Sequence, residues 1–246
     1  MGKEQKAEIM GCQVDLLSLN QALEEIKKLL GNQKTFAHII TVNAEIIYEA
    51  NKNPRLKEII NGAHMVTPDG IGVVWAARQF GYTSSGRVTG IELLEEVCSE
   101  GARRGWRVFF FGAAPGVAEK AASNLENKYP GLQVAGTING YFAPEETADI
   151  VTTIKKSNPD ILFVGLGAPR QEYWINEYKD QLQVVCVGVG GSFDVIAGLK
   201  KRAPAFMIKL NLEWLYRLIS EPSRIKRQLA LPKFVLHVLK EKYRRH

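Results

Sequence analysis

Five times along this chain a short apolar run stops at a glycine or a small polar residue and gives way to helical text. The runs are Thr35 to Val42, Met65-Val66 before Thr67-Pro68-Asp69-Gly70, Trp106 to Phe111, Asp160 to Val164 and Val184 to Val189. They place Val, Ile, Leu and Phe on successive residues rather than alternate ones, the pattern of strands covered on both faces. Strands that alternate with helices at this spacing build a mostly parallel sheet wrapped in helices. Gln133 to Ile138 adds a strand, and residues 8–14 read as a first one.

The intervening text carries helix signals. Ser18-Leu-Asn-Gln21 has capping-box spacing and opens a helix that runs to about Leu30, where Gly31 ends it. Ala44 to Ala50, Pro54 to Ile60, Ile71 to Phe80 and Val88 to Arg104 follow, then a helix reaching Lys128 and one begun at Pro144. The fold expected is α/β and Rossmann-like, a length of 246 residues allowing one large domain and an appendage.

The boundary falls near residue 200. From Lys200 to His246, 13 Lys and Arg face three acids, a local charge of +10, against −4 for residues 1–199. Ile208, Leu212, Leu215 and Ile219 recur on one helical face, which Phe206, Leu210 and Trp214 widen, and Glu221-Pro222 breaks it. A second run, Leu229 to Tyr243, mixes apolar residues with Lys and Arg. A basic, amphipathic tail implies an anionic partner: a membrane surface, a nucleic acid or a phosphorylated substrate. No apolar run reaches the ~18 residues of a membrane span, and the polar opening residues lack a signal-peptide core. The wide apolar face at 206–219 equally suits a subunit interface in a homo-oligomer.

In a parallel sheet, ligands bind just past the carboxyl ends of the strands. Three of those ends carry glycine turns, Gly112 to Gly116, Gly165 to Gly167 and Gly188 to Gly191, and glycine lets backbone N–H groups face a phosphate. A tight connection between strand and helix wants glycine too, but three such turns in one sheet favour a nucleotide or diphosphate ligand. The dinucleotide fingerprint GxGxxG fails, because Phe193 and Arg170 stand where its third glycine belongs, and no GK[ST] follows any turn. His38, His64, His237 and His246 are scattered, the three cysteines form no CxxC, and there is no Asp-x-Asp pair for a divalent ion. Phosphate charge then falls to Arg, Lys and helix termini.

The polar residues at strand ends are Thr41, Asn43, Asp69, Arg87, Tyr141, Arg170, Gln171 and Asp194. Each has a plain structural alternative. Asp69 and Asn43 suit N-caps, Arg87 a solvated loop and Asp194 a cap on the next turn. An oxidoreductase or methyltransferase on the same sheet, and a nucleic-acid binder using the tail, stand as rival readings.

Taken together, Thr41-Val-Asn43-Ala-Glu, Thr67-Pro-Asp69-Gly, Arg87-Val-Thr-Gly90, Phe111-Gly-Ala, Gly165-Leu-Gly-Ala-Pro-Arg-Gln-Glu172 and Gly188-Val-Gly-Gly-Ser-Phe-Asp194 resemble the WecG/TagA/CpsF glycosyltransferases. The resemblance covers residues 8–245 in the same order, and the basic tail looks most like the TagA branch. It implies an inverting, metal-independent enzyme without a cofactor. The donor would be UDP-N-acetylmannosamine and the acceptor GlcNAc-diphosphoundecaprenol, in wall teichoic acid linkage-unit synthesis. It implies no nucleic-acid partner, and a cytoplasmic enzyme peripheral on the inner face of an anionic membrane. With it, Asp69 becomes the expected base. Thr41 and Asn43 hold the sugar, and Arg87 and Gln171 contact donor or acceptor. Gly112 and Ala113 approach the diphosphate through their N–H groups, and Tyr141 and Asp194 contact the uridine. Arg217, Arg224 and Arg227 of the tail close over the diphosphates.

Overall fold

The computed structural model describes residues 6–31, 35–222 and 225–245. In chain order the elements are β1 (Lys6–Ile9), β2 (Cys12–Asp15), α1 (Leu19–Gly31), β3 (Ala37–Val42), α2 (Ala44–Ala50), α3 (Pro54–Asn61), β4 (Met65–Pro68), α4 (Ile71–Gln79), α5 (Gly90–Arg104), β5 (Arg107–Gly112), α6 (Val117–Lys128), β6 (Gln133–Ile138), α7 (Thr147–Ser157), β7 (Ile161–Gly165), α8 (Arg170–Tyr178), β8 (Val185–Gly188), α9 (Ser192–Ile196), α10 (Ala205–Lys209), α11 (Glu213–Ser220), α12 (Ile225–Gln228) and α13 (Ala230–Arg245). The expected parallel sheet is present, six strands in the order β4-β3-β8-β7-β5-β6.

Alternate residues of each strand feed opposite cores. Ile39, Met65, Val108, Phe110, Phe163 and Val187 pack under α1, α5, α6 and α9. On the other face, Ile40, Val42 and Val66 lie under α2, α3 and α4, and Phe109, Phe111, Leu162 and Cys186 under α7 and α8. Burial on both faces is why the strands read as unbroken apolar runs. Ser18 caps α1 as its spacing predicts, its N–H donating to Gln21 Oε1 at 2.8 Å and its Oγ accepting from the Gln21 N–H.

The amino-terminal segment departs from expectation. It is a hairpin, not one strand, because Met10 and Gly11 both take positive φ (52° and 78°) and turn the chain back. Buried Asp15 accepts from the Val66 N–H at 2.7 Å, so the hairpin covers the exposed side of edge strand β4.

The single tail helix expected over 206–219 is also broken. Asn211 adopts a left-handed φ of 59° and separates α10 from α11, a conformation Asn tolerates better than most residues. Farther on, α13 returns to the body and buries Phe234 and Val238 among the residues of α2 and α4.

Phe110 is fully buried, with ring centroids 5.5 Å from Phe163 and 5.6 Å from Phe193. Phe110→Ala is expected to cost about 3–5 kcal/mol of stability in chemical denaturation. A loss below about 1 kcal/mol would contradict the central place given to this cluster.

Candidate active site

Where β3, β4 and β8 end, four segments converge. Thr41 Oγ1 donates to the Gly188 carbonyl at 3.2 Å, tying the ends of β3 and β8. After β3 the chain crosses to the α2 face, and after β8 to the α9 face, so a crevice opens between them. Beside it, the Asp69 N–H donates to Val42 O at 2.8 Å and the Val88 N–H to Pro68 O at 2.9 Å. These two bonds draw the start of α5 against the end of β4.

Asp69 is not the cap of its own helix. Gly70 holds that position at φ 128°, a value that excludes most side chains. The Asp69 carboxylate instead accepts from the N–H of Gly90, the first residue of the 15-residue α5, at 3.4 Å. Thr89 caps the same helix, accepting from the Glu92 N–H. A carboxylate at a helix N-terminus gains about 0.3–1 kcal/mol from the aligned peptide dipoles. Gly90 makes room for this approach, since a Cβ there would meet Thr41 Oγ1 at 3.3 Å and Val189 Cα at 3.5 Å. Asn43 does cap α2, its Oδ1 accepting from the Ile46 N–H at 3.0 Å, and it stands next to Gly70. Thr41, Asn43, Asp69 and Gly90 thus share one corner of the rim. A carboxylate held at this rim can accept a proton from a hydroxyl that reaches it.

Arg87 is no solvated loop residue. It pairs with Glu213 of α11, both largely buried, and Glu213 also faces Arg202 Nε at 3.7 Å. Arg202 pairs in turn with Glu92 in the first turn of α5. Burial pushes the Glu92 carboxyl up, but hydrogen bonds from Arg202 and Thr89 and the charges of Arg202 and Arg87 outweigh it and hold the group below its usual range. This four-member network fastens the tail beside Asp69. Glu213 and Arg202 were absent from the expected site. The signal that marks Glu213 is its rarity as an acid among 13 Lys and Arg.

Gln171 lies behind the rim rather than on it, only 2% exposed. Its Oε1 accepts from the Gly190 N–H at 3.1 Å and its Nε2 donates to Glu172 Oε1 at 2.8 Å. Both ends of the amide are thus engaged by the protein. Glu172 is fully buried, and its Oε2 has no hydrogen-bond partner among the described residues. Burial pushes the carboxyl up to about 7, against the lowering effect of the hydrogen bond from Gln171.

The remaining expected residues are spread along the rim. The Ala113 N–H donates to Gly165 O at 3.0 Å, so it is already engaged and does not point an open donor at a diphosphate. Gly112 is required by packing: a Cβ there would come within 2.4 Å of the Gly165 backbone. Asp194, in the first turn of α9, pairs with Lys200 at 3.3 Å, and Lys200 also reaches Glu221 at 3.2 Å. Tyr141 is 74% exposed beyond β6. Asp69 follows the opposite edge strand, five strand spacings or roughly 24 Å away. Arg224 lies outside the described residues, as do the side chains of Arg217 and Arg227. Phe206, Leu210, Trp214 and Ile219 are exposed on α10, α11 and the turn between them.

The parallel sheet with a polar rim past its strand ends is the frame of a Rossmann-like α/β enzyme. Residues 7–246 match the glycosyl transferase WecG/TagA/CpsF family, and the chain belongs to it. It is similar to the N-acetylglucosaminyldiphosphoundecaprenol N-acetyl-beta-D-mannosaminyltransferase of Bacillus spizizenii, with 40% identity over 85% of this chain and 81% of the relative. The enzymes of that name from Bacillus subtilis and Staphylococcus aureus (strain MW2) are each 38% identical. The matches cover 91% and 96% of this chain and 87% and 93% of those relatives.

Because the Glu172 carboxyl is raised from 4.5 to about 7, it contributes stability that is complete below about pH 4.5 and lost as pH rises through about 7. Linkage puts the contribution on the order of 3 kcal/mol. Glu172→Gln, which cannot ionise, should match wild type near about pH 5 and exceed it in melting temperature near about pH 8. Equal melting temperatures at both pH values would contradict the burial assigned to this carboxyl.

Proposed function

We propose that the chain transfers N-acetylmannosamine from UDP-N-acetylmannosamine to the 4-hydroxyl of GlcNAc-diphosphoundecaprenol, with inversion and without a metal, in wall teichoic acid linkage-unit synthesis. Three relatives carrying the acceptor and sugar in their names, at 38–40% identity, support the substrates. The observation that carries the chemistry is the Asp69 carboxylate fixed against the N-terminus of α5, beside Thr41 and Asn43.

Asp69 takes the proton of the acceptor hydroxyl as its oxygen bonds to the anomeric carbon on the face opposite the leaving group. The bond from that carbon to the UDP oxygen breaks, and UDP departs with the electron pair. Thr41 and Asn43 orient the sugar. Arg87 meets the developing phosphate charge when it exchanges Glu213 for substrate, with Arg217, Arg224 and Arg227 adding cations from the tail. Gln171 acts from behind, through the turn at Gly190. Gly112 and Ala113 shape the rim near the diphosphate, and Asp194 and Tyr141 lie toward the uridine.

Asp69→Asn should lower transfer by roughly a hundredfold or more while calorimetry still detects UDP. Near-normal turnover would remove Asp69 from the mechanism. A panel of UDP-sugars against a GlcNAc-diphospholipid analogue settles the donor: preference for UDP-glucose, UDP-galactose or the uronic acid would place this chain elsewhere in the family.

The acceptor's lipid stays in the bilayer, and among the described residues no helix is long and apolar enough to cross it. Attachment is then peripheral, at the inner face of the cell membrane, through the exposed apolar residues of α10 and α11 with the surrounding Lys and Arg. Phe206→Ser combined with Leu210→Ser and Ile219→Ser should abolish retention on anionic liposomes. Full retention, with a change in oligomeric state instead, would make this face a subunit interface.

A further inference from the structure

We propose that Glu172 is a positioning residue for sugar transfer: its carboxyl orients the Gln171 amide, and Gln171 fixes the glycine turn that ends β8. The inference rests on the glycosyltransferase reading above and extends it to a residue that touches neither substrate.

The turn is gripped from both faces of the sheet. From one face Thr41 Oγ1 donates to Gly188 O. From the other, the Gln171 amide lies so close that a Cβ on Gly188 would stand 2.6 Å from its Nε2 and 3.4 Å from Glu172 Oε1. One residue on, Val189 abuts Gly90, the helix start that holds Asp69, and Val189 O accepts from both the N–H and the Oγ of Ser192. A shift of the Gln171 side chain is therefore passed to Thr41 and Gly90 together.

An amide has two ends, and only one orientation works here. Gln171 Oε1 must face the Gly190 N–H, so its Nε2 needs an acceptor on the other side. Glu172 Oε1 is that acceptor at 2.8 Å. Without it the Nε2 end is left unpaired in a buried site and only the Gly190 N–H still holds the amide in place. Glu172 Oε2 is buried with no hydrogen-bond partner among the described residues. Ionisation would leave an uncompensated charge inside the protein, a costly state that favours rearrangement or entry of water. The titratable and charged groups on the elements packed against α8 are His38 on β3, Cys186 on β8, Arg55, Lys57 and Glu58 on α3, and Asp149, Lys155 and Lys156 on α7, these last three exposed. Burial keeps His38 neutral and the Cys186 thiol protonated, and no neighbouring charge is among the causes of the Glu172 shift.

The test compares wild type, Glu172→Gln and Glu172→Ala from about pH 5.5 to about pH 8.5. Calorimetry reads the binding of UDP-N-acetylmannosamine, and amide hydrogen exchange reads the Gly190 N–H without ligand. In wild type, affinity should fall roughly tenfold between about pH 5.5 and about pH 8.5, because the proposal makes the ionised form the one whose turn is displaced. Gln keeps the acceptor and cannot ionise, so it should hold the low-pH affinity throughout. Ala, folded by circular dichroism, should bind weakly at every pH and lose protection at Gly190. A Gln variant with the wild-type pH dependence, or equal Gly190 protection in all three proteins, overturns the proposal. If no UDP-sugar binds but Gly190 protection follows the expected order, the donor assignment fails and the role of Glu172 stands.

Discussion

The bond from the Gly90 N–H to the Asp69 carboxylate is the contact on which the site depends. It exists because three local requirements coincide. Pro68 closes the β4 ladder, Gly70 supplies the backbone angle for leaving it, and Gly90 lacks the side chain that would hold α5 away from Thr41 and Val189. The dipole at the start of α5 favours the charge of Asp69.

Around this contact the chain arranges two supports of opposite character. Behind the rim is a buried, nearly uncharged relay from Glu172 through Gln171 to Gly190. In front is an ionic one, in which Arg87, Glu213, Arg202 and Glu92 join loop, tail and α5. Partial burial keeps these pairs from being fully screened by salt. The tail is thus attached to the body through Glu213 to Arg87 and through two of its own cations, Arg202 to Glu92 and Lys200 to Asp194.

The sheet was legible in the sequence because burial on both faces writes each central strand as a continuous apolar run. The hairpin was not, since Met10 gives no turn signal and only its left-handed φ beside Gly11 folds residues 6–15 in two. Periodicity joined 206 to 219 into one helix, but Asn211 breaks the backbone without disturbing the apolar spacing. For the site, strand ends located Thr41, Asn43 and Asp69, because position past a parallel strand is a local property. Partners were not local. Glu213 meets Arg87 from 126 residues away, and Gly165 takes the Ala113 N–H from 52 residues away. Gln171 looked like a rim residue because its motif follows a strand, and only the absence of a side chain at Gly188 lets it sink against the sheet.

Chemical rescue tests the role of Asp69 most directly. In Asp69→Ala the rim keeps its backbone but loses the proton acceptor, and a small external base such as formate can enter the space. Transfer to the lipid-linked acceptor should be nearly absent in buffer and should rise with formate concentration, with no such response in wild type. An alanine variant that transfers sugar at the wild-type rate without formate would show that the carboxylate at the start of α5 is not the base.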